Sequence, residues 1–259
     1  MSLISKGHMG CQGCAAMSTV RLIVDTLGPR TVVVIPACCL SVCNGAYPSA
    51  AFKIPVVNCA FETAAVTAAG IRSGLDLRGD KNAHVVAIAG DGGTYDIGLQ
   101  ALSGAAERNN NIIYICYDNE AYMNTGNQRS SSTPAGVITM TTPTPKQEYK
   151  KDLIGIMKAH QIPYLATATI GYPKDLRRKV EEAMKIKGFR FILALSPCPT
   201  GWKFDSKYSI KLSKLAVKSG IFPILEVVDG VEVSRKEVSQ EHKEKYIKEY
   251  LSLQGRFNN

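Results

Sequence analysis

The sequence predicts an α/β protein built on a doubly wound, mostly parallel sheet. Short apolar, β-branched runs at residues 83–89, 112–117, 164–169 and 189–195 lack polar alternation, the pattern of strands buried on both faces. Segments with helical spacing of apolar residues alternate with these runs, as in βαβ units. A length of 259 residues with 45% hydrophobic and 20% charged side chains suits one large domain with an ample core.

Taken in order, the chain opens with a Gly-rich loop holding Cys11 and Cys14. A helix over 15–27 follows, with Val20, Ile23, Val24 and Leu27 on one face and Gly28-Pro29 to stop it. Strands over 31–35 and 56–60 flank the loop Pro36-Ala37-Cys38-Cys39, and a small-residue helix near 61–71 is suited to close packing on the sheet. The strand at 83–89 runs into Gly90-Asp91-Gly92-Gly93 and a helix near Tyr95, and the strand at 112–117 ends at Asp118-Asn119-Glu120-Ala121. A long polar loop over 125–146 reads as functional or mobile. Helices over 149–160, 173–186 and 206–219 then alternate with strands over 164–169, 189–195 and 224–228. A turn at Asp229-Gly230 and a charged helix from about Ser239 divide the chain into a domain over 1–230 and a helical tail over 231–259.

Composition narrows the function classes. No apolar run approaches the roughly 18–20 residues that span a membrane, and the first ten residues lack a signal-peptide layout. A cytoplasmic protein is expected. The net charge of +9 comes with no nucleic-acid-binding signature, so the basic residues of the second half, among them Lys146, Lys150, Lys179 and Arg190, read as a solvated helical face. Such a face can also steer acidic partners.

Two constellations carry chemistry. Asp91 stands where a buried strand meets a Gly-rich turn, and acids at such strand ends face the ligand crevice of a doubly wound sheet. Gly90, Gly92 and Gly93 are expected to let the backbone approach phosphate and adopt positive φ, with the next helix aiming N–H groups at the anion. The following strand end offers hard oxygen donors of the kind Mg²⁺ takes. The second constellation is Cys11, Cys14, Cys39 and Cys198, which can converge at the same sheet edge. An iron–sulfur cluster, a zinc site and a dithiol pair all remain open from this spacing. Cys59 and Cys116 lie in apolar strands and read as packed hydrophobes.

GDGGTYDIG followed by YDNEAYMNTGNQRSSSTP resembles the thiamine-diphosphate-binding β subunit of the pyruvate (2-oxoacid):ferredoxin oxidoreductase family. The likeness runs from GHMGCQGC to the final Gly-Arg-Phe. It implies thiamine diphosphate on Mg²⁺, with Asp91, the Asn119 side chain and the Ala121 carbonyl as metal ligands, and Asn124 where thiamine meets substrate. It also implies a [4Fe–4S] cluster on Cys11, Cys14, Cys39 and Cys198; Cys39, 25 residues after Cys14, is favoured over its neighbours Cys38 and Cys43.

The activity so implied is oxidative decarboxylation of a 2-oxoacid, pyruvate favoured, with electrons passing to ferredoxin and coenzyme A as usual acyl acceptor. Only one diphosphate-type domain is present, so the activating glutamate and further clusters are expected from partner subunits, alpha and gamma or delta. Departures stand at Gln12, Ala15, the Cys38-Cys39 doublet and residues 135–138, the last of which loosens the case for pyruvate against oxalate or another 2-oxoacid. A non-redox thiamine decarboxylase or synthase, and a zinc- or cluster-binding structural subunit, are the competing readings.

Overall fold

A computed structural model describes residues 2–238 and 240–257. Its elements are α1 (Ala15–Leu27), β1 (Thr31–Pro36), α2 (Cys39–Asn44), β2 (Val56–Cys59), α3 (Ala64–Leu77), β3 (His84–Gly90), α4 (Leu99–Glu107), β4 (Ile113–Asp118), α5 (Leu153–Ala159), β5 (Tyr164–Thr169), α6 (Pro173–Lys185), β6 (Arg190–Leu195), the single turn α7 (Pro199–Trp202), α8 (Ser209–Lys218), β7 (Leu225–Val228), β8 (Val231–Arg235) and α9 (Lys243–Ser252). The strands form one sheet in the order β2-β1-β3-β4-β6-β5-β7-β8. The first six are parallel, and β7 and β8 add antiparallel to β5 and to each other.

The central strands β4, β5 and β6 are buried along their whole length, as their unbroken apolar runs require. Helices cover both faces. One core packs Ala64, Ala65, Ala68, Leu102, Ala105 and the inner side of α8 on the sheet, and the other packs Val20, Ile23, Val24, Leu176 and Val180. The small residues of α3 let that helix lie close, and Arg72 on the same stripe donates to the carbonyls of Ala83 and Asp80. From β1 the chain goes outward to β2 and returns on the other side of β1 to form β3. This reversal opens a crevice at the carboxyl ends of β1 and β3, where such sheets bind ligands.

Several expectations change. The loop after β1 contains a short helix, α2, because Ser41 Oγ accepts from Cys38 N at 3.2 Å and caps its start. The sequence places the start of the last helix near Ser239, a position outside the described residues. The tail expected from residue 231 opens with a strand, since Val231 and Glu232 pair with Val228 and Val227 across the Asp229-Gly230 turn. The basic residues are not all solvated. Lys179 is 1% exposed and donates to Thr167 O and Asp175 Oδ2, both at 2.8 Å, and Arg190 is 4% exposed with Nε on Ala183 O at 3.1 Å. Their long apolar stems are buried between helix and sheet while their polar ends reach backbone carbonyls. Among the described residues no helix is long and apolar enough to cross a membrane.

Candidate active site

The site is built at the ends of β3 and β4. After Gly90 the chain enters helical geometry at once: Asp91 has φ −61° and ψ −43°, and a wide π-type turn spans Gly92–Asp96, earlier than the helix expected near Tyr95. The first N–H groups of such a turn lack partners within it and point beyond the strand end. None of Gly90, Gly92 and Gly93 takes positive φ. These glycines serve close approach instead. A Cβ on Gly92 would stand 2.2 Å from the Tyr122 ring, and one on Gly93 would meet Phe61 at 3.0 Å.

Gly90, Asp91, Gly92, Gly93, Asn119, Ala121 and Asn124 all line one open cleft of about 620 Å³, together with Ala37, Cys38 and Cys39 from the end of β1. Asn124 is exposed at its rim. Asp91 is 1% exposed; its Oδ2 accepts from Ser130 Oγ at 2.5 Å, while its Oδ1 has no partner. Burial, and next the nearby Asp118 carboxylate, hold Asp91 well above the usual carboxylate range. A buried carboxylate oxygen without a donor is the kind of atom a divalent cation completes. With the Asn119 amide and the Ala121 carbonyl in the same cleft, the donor set fits Mg²⁺.

The acids beside them are engaged otherwise. Asp118 accepts from Ser132 Oγ (2.6 Å), Lys150 Nζ (2.7 Å), Tyr95 OH (3.0 Å) and Glu120 N (3.0 Å). Glu120 pairs with Lys150 at 3.1 Å and with Arg256 at 2.7 Å. Burial opposes its charge, yet Lys150 and Arg256 hold its carboxyl below the usual range. Lys150 is in turn raised: burial alone would lower it, and Asp118 and Glu120 outweigh that. Glu120 also stands at φ +64°, a left-handed conformation that costs a non-glycine residue roughly 1–3 kcal/mol.

Sequence reading missed Lys150, Arg256 and the Ser/Thr set. Residues 119–152 contain no helix or strand, but the segment is fastened over the strand ends. Ser130 reaches Asp91, Ser132 reaches Asp118, Thr133 Oγ1 reaches Glu120 O at 2.7 Å, and Lys146 Nζ reaches Thr133 O at 2.6 Å. The helix expected from Tyr149 begins only at Leu153, where Asp152 caps it through Gly155 N at 2.8 Å. The intervening extended residues carry Lys150 to the carboxylates. The signal available in the sequence was the unbroken run of hydroxyl side chains Ser130-Ser131-Ser132-Thr133 in an otherwise polar loop. Residues 135–138 lie away from the first cleft: Ala135 lines a second one, and Val137 pairs with Phe257.

The cysteine loops adjoin the crevice. Burial, then the neighbouring thiols of Cys198, Cys38, Cys43 and Cys14, push Cys39 up to about 12. Burial, opposed by backbone N–H groups and reinforced by Cys14 and Cys11, pushes Cys198 up to about 11. Thiols from three separate segments therefore lie close enough to oppose one another's charge, and burial, then Cys14, Cys11 and Cys38, push Cys43 up to about 12 as well. Cys14 Sγ accepts from Met17 N at 3.5 Å and Cys198 Sγ from Gly201 N at 3.4 Å, each at a helix start that favours sulfur bearing negative charge. Among the described residues no three His, Cys, Asp or Glu side chains are gathered as a compact metal-binding group. Cys116 is fully buried in β4, and Cys59 is partly buried against the core. His8 Nδ1 accepts from Gly10 N at 3.1 Å, fixing the first cysteine loop.

Comparison with known proteins bears on all of this. The thiamine pyrophosphate enzyme family, C-terminal TPP binding domain, matches residues 48–194. Pyruvate synthase subunit PorB of Methanothermobacter marburgensis is 48% identical over 98% of this chain and 89% of its own. Ketoisovalerate oxidoreductase subunit VorB of Pyrococcus furiosus is 45% identical over 97% of this chain and 84% of its own. The solved structure of 2-oxoglutarate:ferredoxin oxidoreductase from Magnetococcus marinus superposes with a TM-score of 0.65 at 21% identity, covering 82% of this chain and 79% of that one, a likeness of fold. The chain is a member of the thiamine-diphosphate-binding β-subunit family of the 2-oxoacid:ferredoxin oxidoreductases.

Proposed function

We propose that this subunit holds thiamine diphosphate through Mg²⁺ on Asp91, Asn119 and Ala121, and a [4Fe–4S] cluster on Cys11, Cys14, Cys39 and Cys198, in a complex that oxidatively decarboxylates a 2-oxoacid, pyruvate favoured. Ferredoxin takes the electrons and coenzyme A the acyl group. The observation that carries the reading is the unpartnered Oδ1 of the buried Asp91, in a cleft that Asn119, Ala121 and the cysteine loop after β1 also line. When bound, thiamine diphosphate supplies the carbanion chemistry of decarboxylation and an iron–sulfur cluster the one-electron transfer.

The chain's own residues bind and orient. Gly92 and Gly93 admit the diphosphate to the backbone, and the first N–H groups of the turn over Gly92–Asp96 receive its charge. Ser130 holds one oxygen of Asp91 so that the other faces the cation. Asn124 stands at the rim where substrate enters. Among the described residues that line the cleft Asp91 is the one carboxylate, in keeping with a partner subunit as the source of the glutamate that activates the cofactor. The mutual influence of Cys39, Cys198 and Cys14, thiols from three separate segments, supports a shared cluster, for which widely separated cysteines suffice. Residues 135–138 lie off the cofactor cleft, so their departure from the pyruvate pattern bears less on substrate choice than sequence alone implied.

The test is anaerobic purification of the assembled complex, followed by a screen of pyruvate, branched 2-oxoacids, 2-oxoglutarate and oxalate with a low-potential acceptor. About four iron and four sulfide per chain are expected of this subunit, with pyruvate turned over fastest. One zinc without sulfide, or decarboxylation by the isolated chain, would overturn the reading of the cluster or of the partner glutamate respectively. A branched 2-oxoacid turned over fastest would replace pyruvate as substrate.

A further inference from the structure

Glu120 is a left-handed residue between the two positions assigned to Mg²⁺, and no glycine or asparagine stands there to favour that backbone. What holds it comes from far along the chain. Its Oε2 accepts from Arg256 Nη2 at 2.7 Å across 136 residues of sequence. Arg256 is 2% exposed; its Nε donates to Gln254 Oε1 at 2.8 Å, and its backbone carbonyl accepts from Ile138 N at 3.0 Å. The guanidinium lies 3.8 Å from the centre of the Trp202 ring. Trp202 is 1% exposed, and its Nε1 donates to the backbone carbonyl of Asn119 at 2.7 Å.

Two stacked side chains thus grip two consecutive residues, one by a backbone carbonyl and one by a carboxylate. Their hold extends further. Trp202 closes the turn that Cys198 opens, with Trp202 N on Cys198 O at 2.8 Å. Gly201 of the same turn packs on Met123, so tightly that a Cβ there would stand 2.3 Å from the sulfur. The turn carrying Cys198 and the loop over 119–123 are therefore seated on each other.

We propose that the Arg256–Trp202 stack is a positioning device that fixes residues 119–121 in metal-ligating geometry and ties that loop to the turn carrying Cys198. The proposal rests on the assignment of Asn119 and Ala121 to Mg²⁺. Neither Arg256 nor Trp202 lines the cofactor cleft, so each acts through the loop. A stack that merely stabilised the fold would leave the Mg²⁺ dependence of cofactor binding alone. A positioning stack alters that dependence, because a displaced ligand pair weakens the metal first and the diphosphate through it.

The experiment is calorimetric titration of thiamine diphosphate into the cofactor-stripped complex at a series of Mg²⁺ concentrations. Trp202→Phe keeps a ring against Arg256 and deletes the donor to Asn119. Arg256→Lys keeps the charge and deletes the planar fork. Each is expected to raise the Mg²⁺ concentration needed for half-maximal cofactor binding by roughly 10–100-fold, the usual effect of removing a group that orients a metal ligand. Saturating Mg²⁺ should restore cofactor affinity, and iron and sulfide content should stay at the wild-type level.

Unaltered Mg²⁺ dependence in both variants, with cofactor binding abolished in Asp91→Ala, overturns the positioning role and leaves the site intact. Retention of Mg²⁺-dependent binding by Asp91→Ala overturns the site assignment itself. If Arg256→Lys fails to assemble, Trp202→Phe alone decides.

Discussion

Two aspartates end adjacent strands of one sheet, both buried to within 1% of full exclusion, and the protein treats them in opposite ways. Asp118 at the end of β4 receives four donors, a lysine among them, and sits beneath a strap of hydroxyls. Asp91 at the end of β3 receives a single side-chain hydroxyl and keeps an oxygen without a partner. The difference separates framework from function. A buried carboxylate that is fully donated to helps fix the chain around it, whereas one left short is held at a cost that only a ligand relieves.

The sharpest way to break the comparison is to neutralise each aspartate in turn. Asp118→Asn leaves Lys150 with Glu120 as its remaining carboxylate and the donors around Asp118 imperfectly matched, and should destabilise the chain by about 1–3 kcal/mol, the usual cost of buried groups left short of partners. At about 2–4 °C per kcal/mol for a chain of this size, thermal unfolding should move down accordingly. Asp91→Asn should do the reverse in the cofactor-free protein, holding or raising the midpoint, while calorimetry finds thiamine diphosphate binding gone. Equal destabilisation by the two variants would mean that the unpartnered oxygen has no functional weight.

The second contrast is in pH. Asp91 is raised above its ordinary 3.8 by burial first, so stability associated with it is full below 3.8 and is lost as pH rises through its folded value. Glu120 is lowered from its ordinary 4.5, against burial, by Lys150 and Arg256. Its stabilisation is present above 4.5 and is lost as pH falls through the lower folded value. Denaturant unfolding of the cofactor-free chain should therefore show a stability maximum on the acid side. Asp91→Asn should flatten the fall toward neutral pH, and Glu120→Gln should flatten the fall toward acid at a lower plateau. Identical profiles for both variants would show that the two carboxyls do not differ as described.

How much of this contrast was legible in the sequence follows from which forces are local. The strands and most helices were, because period and run length report burial directly, and Asp91 was, because a Gly-rich strand end is a local pattern. The residue pattern by itself did not separate the roles of Asp118 and Glu120 from those of Asn119 and Ala121, which the family resemblance alone singled out, since all four read as oxygen donors until Lys150 and Arg256 are seen to engage the two acids. Lys150 read as part of a helix, and Arg256 as part of a tail, because the carboxylates that draw them in lie 30 and 136 residues away. Strand β8 was lost for a related reason: an edge strand exposed along most of its length shows no apolar run to read.

The finest probe lies where the two strand ends touch. The Tyr122 ring, from the loop after β4, packs closely against Gly92, from the turn after β3, and its hydroxyl donates to Asp96 Oδ2 at 2.6 Å. Tyr122→Phe keeps the ring and removes one partly buried hydrogen bond, so a loss of about 1 kcal/mol in stability is expected, with cofactor affinity close to wild type. Gly92→Ala keeps every hydrogen bond and inserts a methyl where no space exists, since its Cβ would fall 2.2 Å from the ring. The ring must then tilt, carrying the loop and Ala121 with it, and cofactor affinity should fall by about tenfold or more, as when a ligand-orienting group is disturbed. If the phenylalanine variant instead lost the cofactor and the alanine variant kept it, the hydroxyl bond to Asp96 rather than the close approach of the two loops would be what sets the cleft.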